Sequence, residues 1–208
     1  MIIGISGYVG NRLTGIGRVL INILSELAKQ YPEDKYVLFR NFDFKEYDNL
    51  TQYQNIEIVD VPYTKESGLK NILWHQWLFQ KLLKKYKCDI AYIPNFTLLL
   101  WKTIPTIVTI HDLIEYNVPD KFSKARMFYR KQVCDPLMAK KSNHILTVSK
   151  SSYKDIISYL GVKPSKLTLT LNATDRNVFK KYSKEKIIPA IKKYNLEYKK
   201  YLLFVGTI

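Results

Sequence analysis

The chain has 208 residues, 47% of them hydrophobic and 25% charged, with a formal net charge of +15. That balance is ordinary for a water-soluble globular protein and is enough for one well-buried domain, or one domain and part of another. It excludes a disulfide framework and a Cys-rich metal site, because Cys88 and Cys134 are the only cysteines and stand far apart.

The most apolar stretch, 96–110, is interrupted by Lys102 and Pro105 and is too short to span a bilayer. Met1 leads straight into an apolar run with no basic leader, so a cytoplasmic location is expected. The sequons at Asn49, Asn95 and Asn172 then read as chance matches. A charge of +15 attracts something anionic: nucleic acid, phospholipid head groups or a phosphorylated substrate. A lysine-rich solvated surface accounts for it equally.

Residues 1–6 predict a short buried strand, followed by Thr14-Gly15-Ile16-Gly17-Arg18. Ile16, Val19, Leu20, Ile23, Leu24, Leu27 and Ala28 then recur at helical spacing. A strand, a glycine loop and a helix start aim unpaired N–H groups beyond the strand end, where the helix dipole favours a phosphate. Plain turn chemistry explains the same residues. Strands are expected at 36–39 and 56–61, with a loop and one helical turn between them.

Residues 69–86 predict a helix in which Trp74, Trp77, Leu78, Leu82 and Leu83 alternate with lysines. Such a helix can lie on an anionic membrane, but the apolar strand that follows at 89–93 favours a sheet-covering role. Further strands are expected at 106–110, 144–148 and 167–171. A long helix is expected at 123–140, kinked near Pro136, and a second at 150–160 with Ser149 as N-cap and Gly161 beyond its end.

This alternation predicts an α/β fold, a doubly wound and mostly parallel sheet with helices on both faces. Ligands in such folds bind outside the carboxyl ends of the strands. There stand the glycine loop, Asn95, His111-Asp112, Ser149 and Asn172. Beyond Arg176 the chain becomes lysine-rich, and 201–206 reads as one more strand. The expected division is a Rossmann-like domain over 1–175, a basic linker over 176–200, and the first strand of a further domain over 201–208.

Five ordered pieces resemble the N-terminal half of a family 4 glycosyltransferase of the two-domain GT-B fold. They are the glycine loop, Asp89-Ile90-Ala91-Tyr92-Ile93-Pro94, Thr109-Ile110-His111-Asp112-Leu113, Leu146-Thr147-Val148-Ser149-Lys150-Ser151-Ser152, and 166–172. The terminal 201–208 looks like the opening of the donor-binding domain. The resemblance implies transfer of a hexose from a nucleotide-sugar to a glycan or lipid-linked acceptor, with retention, no metal and no cofactor beyond the donor itself. It places Gly15, Ile16, Gly17 and Arg18 at the donor diphosphate and His111 at the reaction centre. Asp112 would orient His111 or hold an acceptor hydroxyl, while Asn95, Ser149 and Asn172 line the cleft. One departure is Asn172-Ala173-Thr174-Asp175, where relatives often read Asn-Gly-Val-Asp; Ala173 does not favour a positive φ. With the donor-binding domain essentially missing, the chain alone is expected to be inactive, and attachment to the inner face of the membrane is an added expectation.

Competing enzyme classes fail on spacing. Gly15-Ile16-Gly17 is followed by Leu20 where a dinucleotide fingerprint needs glycine, and the second strand ends in Phe39-Arg40-Asn41 without an acid. No Lys-Ser/Thr follows the second glycine, and no Asp-x-Asp occurs. A non-catalytic basic module for nucleic acid or an anionic membrane is the alternative of another class. Against the nucleic-acid form, the lysines are scattered and no nucleic-acid-reading motif is present.

Overall fold

A computed structural model describes residues 1–8, 13–61, 68–118, 121–174 and 179–204 of the chain. They fall into two compact units, Met1–Asn172 and Ala173–Ile208. The first is built on a seven-stranded sheet in the order β3-β2-β1-β4-β5-β6-β7. The strands are β1 (Ile2–Gly7), β2 (Lys35–Arg40), β3 (Ile56–Asp60), β4 (Ile90–Ile93), β5 (Thr106–Thr109), β6 (His144–Thr147) and β7 (Leu167–Leu169). Every neighbouring pair is parallel, so all carboxyl ends lie along one edge. The order reverses between β1 and β4, which makes that gap the switch point of the sheet.

Both faces of the central strands are buried. Along β2, Tyr36 and Leu38 pack with Ile5 and with Leu20, Ile21 and Leu24 of helix α1 (Gly15–Gln30). Val37 and Phe39 point the other way, to Trp74, Phe79 and Leu83. Helix α3 (Phe79–Lys85) lies so close to β1 that a Cβ on Gly4 would collide with Leu83 Cδ2 and come within 2.8 Å of Cys88 Sγ. Only glycine permits that approach. The connection from β2 to β3 contains a single 3-10 turn, Lys45–Leu50, as the sequence suggests.

Two helices depart from simple periodicity. The expected helix at 69–86 is α2 (Gly68–Leu73) and α3 joined through a π turn, Trp74–Leu78. The expected helix at 123–140 is α5 (Lys124–Phe128), a π turn over Tyr129–Cys134, and α6 (Asp135–Lys141). Pro136 accounts for the second. Asp135 N–H bonds back to Arg130 O, so the next π bond would run from residue 136 to Lys131 O, and proline cannot donate it. The Tyr116 hydroxyl takes that place, donating to Lys131 O at 3.0 Å. Tyr116 belongs to the short helix α4 (Ile114–Asn117), which the sequence pattern did not reveal.

Helix α7 (Lys150–Leu160) is bounded as predicted. Ser149 Oγ accepts from Ser152 N–H at 3.0 Å, and Gly161 closes the helix at φ +62°. In the second unit, the span expected as a linker contains helix α8 (Lys184–Lys192), which Asn195 and Leu196 terminate by donating back to Lys192 O and Ile191 O. Tyr201–Phe204 is not in a strand; an apolar run becomes one only when a neighbour supplies the ladder. Residues 205–208 lie outside the described part.

Candidate active site

Hydrogen bonds lace the carboxyl ends of four adjacent strands together in sheet order. Asn95, just past β4, donates from Nδ2 to Tyr8 O, just past β1, at 2.9 Å. His111, just past β5, donates from Nε2 to Pro94 O at 2.9 Å. Ser152, in the first turn of α7 after β6, donates from Oγ to His111 O at 2.8 Å and also accepts from Ser149 Oγ at 2.9 Å. Asn95 thus bridges the switch point itself, and its Oδ1 is buried with no hydrogen-bond partner among the described residues. A buried acceptor left unpaired at that place suits a ligand hydroxyl or N–H.

The acceptor fixes the tautomer of His111. A carbonyl can only accept, so Nε2 bears the hydrogen and Nδ1 is the ring's lone-pair nitrogen. The half-buried ring therefore offers Nδ1 as a base or acceptor, and no bond among the described residues occupies that atom. Asp112 is exposed, and among the described residues no bond joins it to the His111 ring. Its Oδ1 accepts from Ile114 N–H at 3.2 Å, at the start of α4. A carboxylate at this place closes the following turn, as Asp side chains commonly do.

Helix α1 begins beyond the end of β1. Its geometry leaves the N–H groups of Gly15, Ile16 and Gly17 without intrahelical acceptors, the first such bond running from Arg18 N–H to Thr14 O at 3.1 Å. Gly15 is exposed, Gly17 is buried, and Ile16 lies between. A Cβ on Gly15 would touch nothing described within 4 Å, whereas one on Gly17 would run into Leu13. Arg18 points to solvent, 3.8 Å from Glu46. The preceding loop, 9–12, lies outside the described residues. Ser149 acts as a helix cap, and Asn172 is exposed with no bond to the laced edge.

The residues that shape the site from beneath carry little signal in the sequence. Ser6, at the end of β1, donates to His75 Nε2 at 2.9 Å and accepts from Trp74 Nε1 at 3.3 Å. His75 Nδ1 in turn donates toward Asn71 O and Oδ1, at 2.9 and 2.8 Å. Full burial lowers the His75 pKa to about 4, keeping the ring neutral. Gln76 grips the loop after β4 by donating to Leu98 O at 2.7 Å and accepting from Leu100 N–H at 2.9 Å and Trp101 N–H at 3.2 Å. Gln80 accepts from Thr103 N–H at 3.0 Å. His75 and Gln76 are polar residues beside buried Trp74 and Phe79, the one cue that could have marked them.

A second buried cluster flanks the same loop. Arg130 lies with Nη1 3.3 Å from Glu115 Oε1 and Nε 3.1 Å from Asp135 Oδ1, and its guanidinium covers the Phe96 ring at 3.6 Å. Burial pushes the Asp135 carboxyl up to about 6 against the pull of Arg130.

A hollow of about 490 Å³ lies elsewhere, lined by Lys150, Tyr153, Lys154, Leu167, Thr168 and Leu169 of α7 and β7. It contains none of the expected site residues. Among the described residues no group of three or more His, Cys, Asp or Glu could hold a metal ion, and no helix is long and apolar enough to cross a membrane.

The chain is 27% identical over 209 residues to O-antigen chain mannosyltransferase B of Escherichia coli, spanning 94% of this chain and 53% of that protein. Among solved structures it resembles WaaG, a glycosyltransferase involved in lipopolysaccharide biosynthesis, with a TM-score of 0.66 at 12% identity, over 94% of this chain and 52% of that one. It also resembles HepE of Anabaena, solved in complex with UDP and glucose, with a TM-score of 0.59 at 16% identity, over 94% and 50% of the two chains. It thus spans about half the length of these relatives. The likeness in fold is to the Rossmann-like half of GT-B glycosyltransferases, as the parallel sheet requires. The model of Glycosyltransferase Family 4 matches residues 13–178, most of the chain, and the chain belongs to that family.

Proposed function

We propose that the chain is the acceptor-side half of a transferase that moves a hexose from a nucleotide-sugar to a glycan or lipid-linked acceptor, with retention and without a metal. The observation that supports this best is the laced edge. Among the described residues, His111 Nδ1 and Asn95 Oδ1 stand as unpaired acceptors at adjacent strand ends, beside the switch point where doubly wound folds hold ligands. In this reading the amides of Gly15, Ile16 and Gly17 face the donor diphosphate, and His111 meets the sugar or the acceptor hydroxyl. Asp112 is left to hold an acceptor group, and Arg18 adds charge at the rim. Preorganised positive charge at the leaving diphosphate supplies much of the rate in such transfers, and the relatives are about twice as long as this chain. Turnover therefore requires a donor-binding domain joined to these 208 residues.

The mannosyltransferase relative makes a nucleotide-activated mannose the first donor to test, with a lipid-linked glycan as acceptor. In the polypeptide carrying both halves, His111→Ala should lower transfer at least about 100-fold. Transfer unchanged by that substitution overturns the site. Salt-sensitive retention on DNA with no response to nucleotide-sugars would favour the binding-module alternative.

Peripheral attachment to an anionic membrane on the cytoplasmic side belongs to the same proposal. Leu69, Leu73 and Trp77 are exposed at four-residue spacing, and Trp77 meets exposed Trp101 edge to face, with centroids 6.3 Å apart. Exposed Lys81, Lys84 and Lys85 follow on the same helix. An apolar ridge with a basic flank suits anionic lipid. Flotation with anionic vesicles should fail in a Leu73→Ser/Trp77→Ser variant; undiminished flotation removes this ridge as the attachment surface.

A further inference from the structure

The hydrogen bond that sets the His111 tautomer has both of its ends tied to one buried side chain. On the acceptor side, Pro94 O belongs to the loop whose Phe96 ring lies under the Arg130 guanidinium at 3.6 Å. On the donor side, His111 stands four residues before Glu115, whose Oε1 lies 3.3 Å from Arg130 Nη1. Asp135 Oδ1, 3.1 Å from Nε, fixes the guanidinium from behind. Arg130 reaches this place from the π turn over Tyr129–Cys134, forced by Pro136. We infer that Arg130 is a positioning residue: it holds the β4 and β5 loops in register so that His111 keeps its Nε2 hydrogen on Pro94 O and presents Nδ1 outward.

The cluster is built for geometry more than for stability. Glu115 is 3% exposed and Asp135 fully buried, yet Glu115 Oε2, Asp135 Oδ2 and Arg130 Nη2 each lack a hydrogen-bond partner among the described residues. Two carboxylates around one guanidinium leave an excess acidic group, a costly arrangement that an apolar trio of equal volume would avoid. What an apolar trio would lose is direction. A planar guanidinium can stack on Phe96 with its face while its edge meets two carboxylates, which neither an aliphatic side chain nor lysine can do.

The consequence for turnover rests on the proposed role of His111; the ring orientation is measured without turnover. The chain has three histidines, so long-range proton–nitrogen correlations resolve every imidazole in the 208-residue chain. In the wild type, His111 should show a single Nε2–H form. Arg130→Gln should convert it to a mixture of tautomers, while a dispersed backbone-amide spectrum across the seven strands reports an intact fold. Phe96→Leu retains the ion cluster and most of the apolar volume, so it folds, and it should loosen His111 in the same way. A single Nε2–H form persisting in Phe96→Leu, or in a folded Arg130→Gln, overturns the inference. So does a wild-type His111 protonated on Nδ1. In the transferring polypeptide, Arg130→Gln should lower kcat about 10- to 100-fold with KM little changed. Loosened tautomers with transfer unaffected would retain the positioning role of Arg130 and remove His111 from the reaction centre.

Discussion

Asn95 Nδ2 donates to Tyr8 O across 2.9 Å, the one side-chain bond between the ends of β1 and β4 among the described residues. It closes the gap where the strand order turns back on itself, and it leaves Asn95 Oδ1 buried and, among the described residues, unpaired. Asn95→Asp keeps an acceptor but exchanges the donor for a carboxylate facing a carbonyl. That variant should lose about 1–3 kcal/mol of stability and bind a nucleotide-sugar more weakly, as read by urea unfolding and by donor titration.

Gly15 and Gly17 separate a packing requirement from a ligand requirement. A Cβ on Gly15 meets open space among the described residues, so Gly15→Ala should leave the unfolding midpoint unchanged or slightly raised. If the amide of residue 15 approaches a diphosphate, the same methyl group should raise the donor KM about five- to tenfold. Gly17→Ala drives into Leu13 and should lower stability as well.

Gln76 binds three backbone groups of the loop after β4, and it is 1% exposed. Gln76→Leu leaves Leu98 O, Leu100 N–H and Trp101 N–H to find other partners. A loss of about 2–4 kcal/mol is expected in urea unfolding. A loss below about 0.5 kcal/mol would show that the loop holds its shape without the glutamine.

Acid titration should expose two opposed buried groups. His75 falls from 6.5 to about 4 on folding, so the unfolded chain binds the extra proton in that window and stability drops as pH falls through it. Asp135 rises from 3.8 to about 6, so the folded chain holds the extra proton and stability grows as pH falls from about 6 toward 3.8. Each effect is on the order of 3 kcal/mol, and in the wild type they largely cancel. Relative to the wild-type profile, His75→Gln should gain stability on acidification and Asp135→Asn should lose it, as read by unfolding midpoints across the pH range.

The strands and their polar ends were legible because a parallel strand buried on both faces is a short apolar run that stops abruptly. Ser149 and Gly161 were legible for a similar reason, since caps are local chemistry. His75, Gln76 and Gln80 were not. Helical periodicity assumes a constant turn per residue, and the π turn at Trp74–Leu78 breaks it. Trp77, expected among the apolar residues of its helix, faces solvent, while three polar neighbours face the core. Arg130 escaped in the same way: its burial depends on the π turn that Pro136 imposes, and on Glu115 of α4 and Phe96 of the loop after β4 meeting it from elsewhere in the chain. Asp112 was correctly placed at a strand end, but its neighbour's backbone claims the carboxylate.

In the proposed function, the ends of β1, β4 and β5 and the first turn of α1 share one nucleotide-sugar site. The most direct test is a titration of the isotopically labelled polypeptide carrying both halves with a nucleoside diphosphate and with the corresponding nucleotide-sugar, following backbone amides of residues 1–172. The expected result is a set of saturable shifts at Gly15, Ile16, Gly17, Asn95 and His111. Shifts confined to Lys150, Tyr153 and Leu167–Leu169, around the hollow between α7 and β7, would contradict it, as would no shift at millimolar ligand.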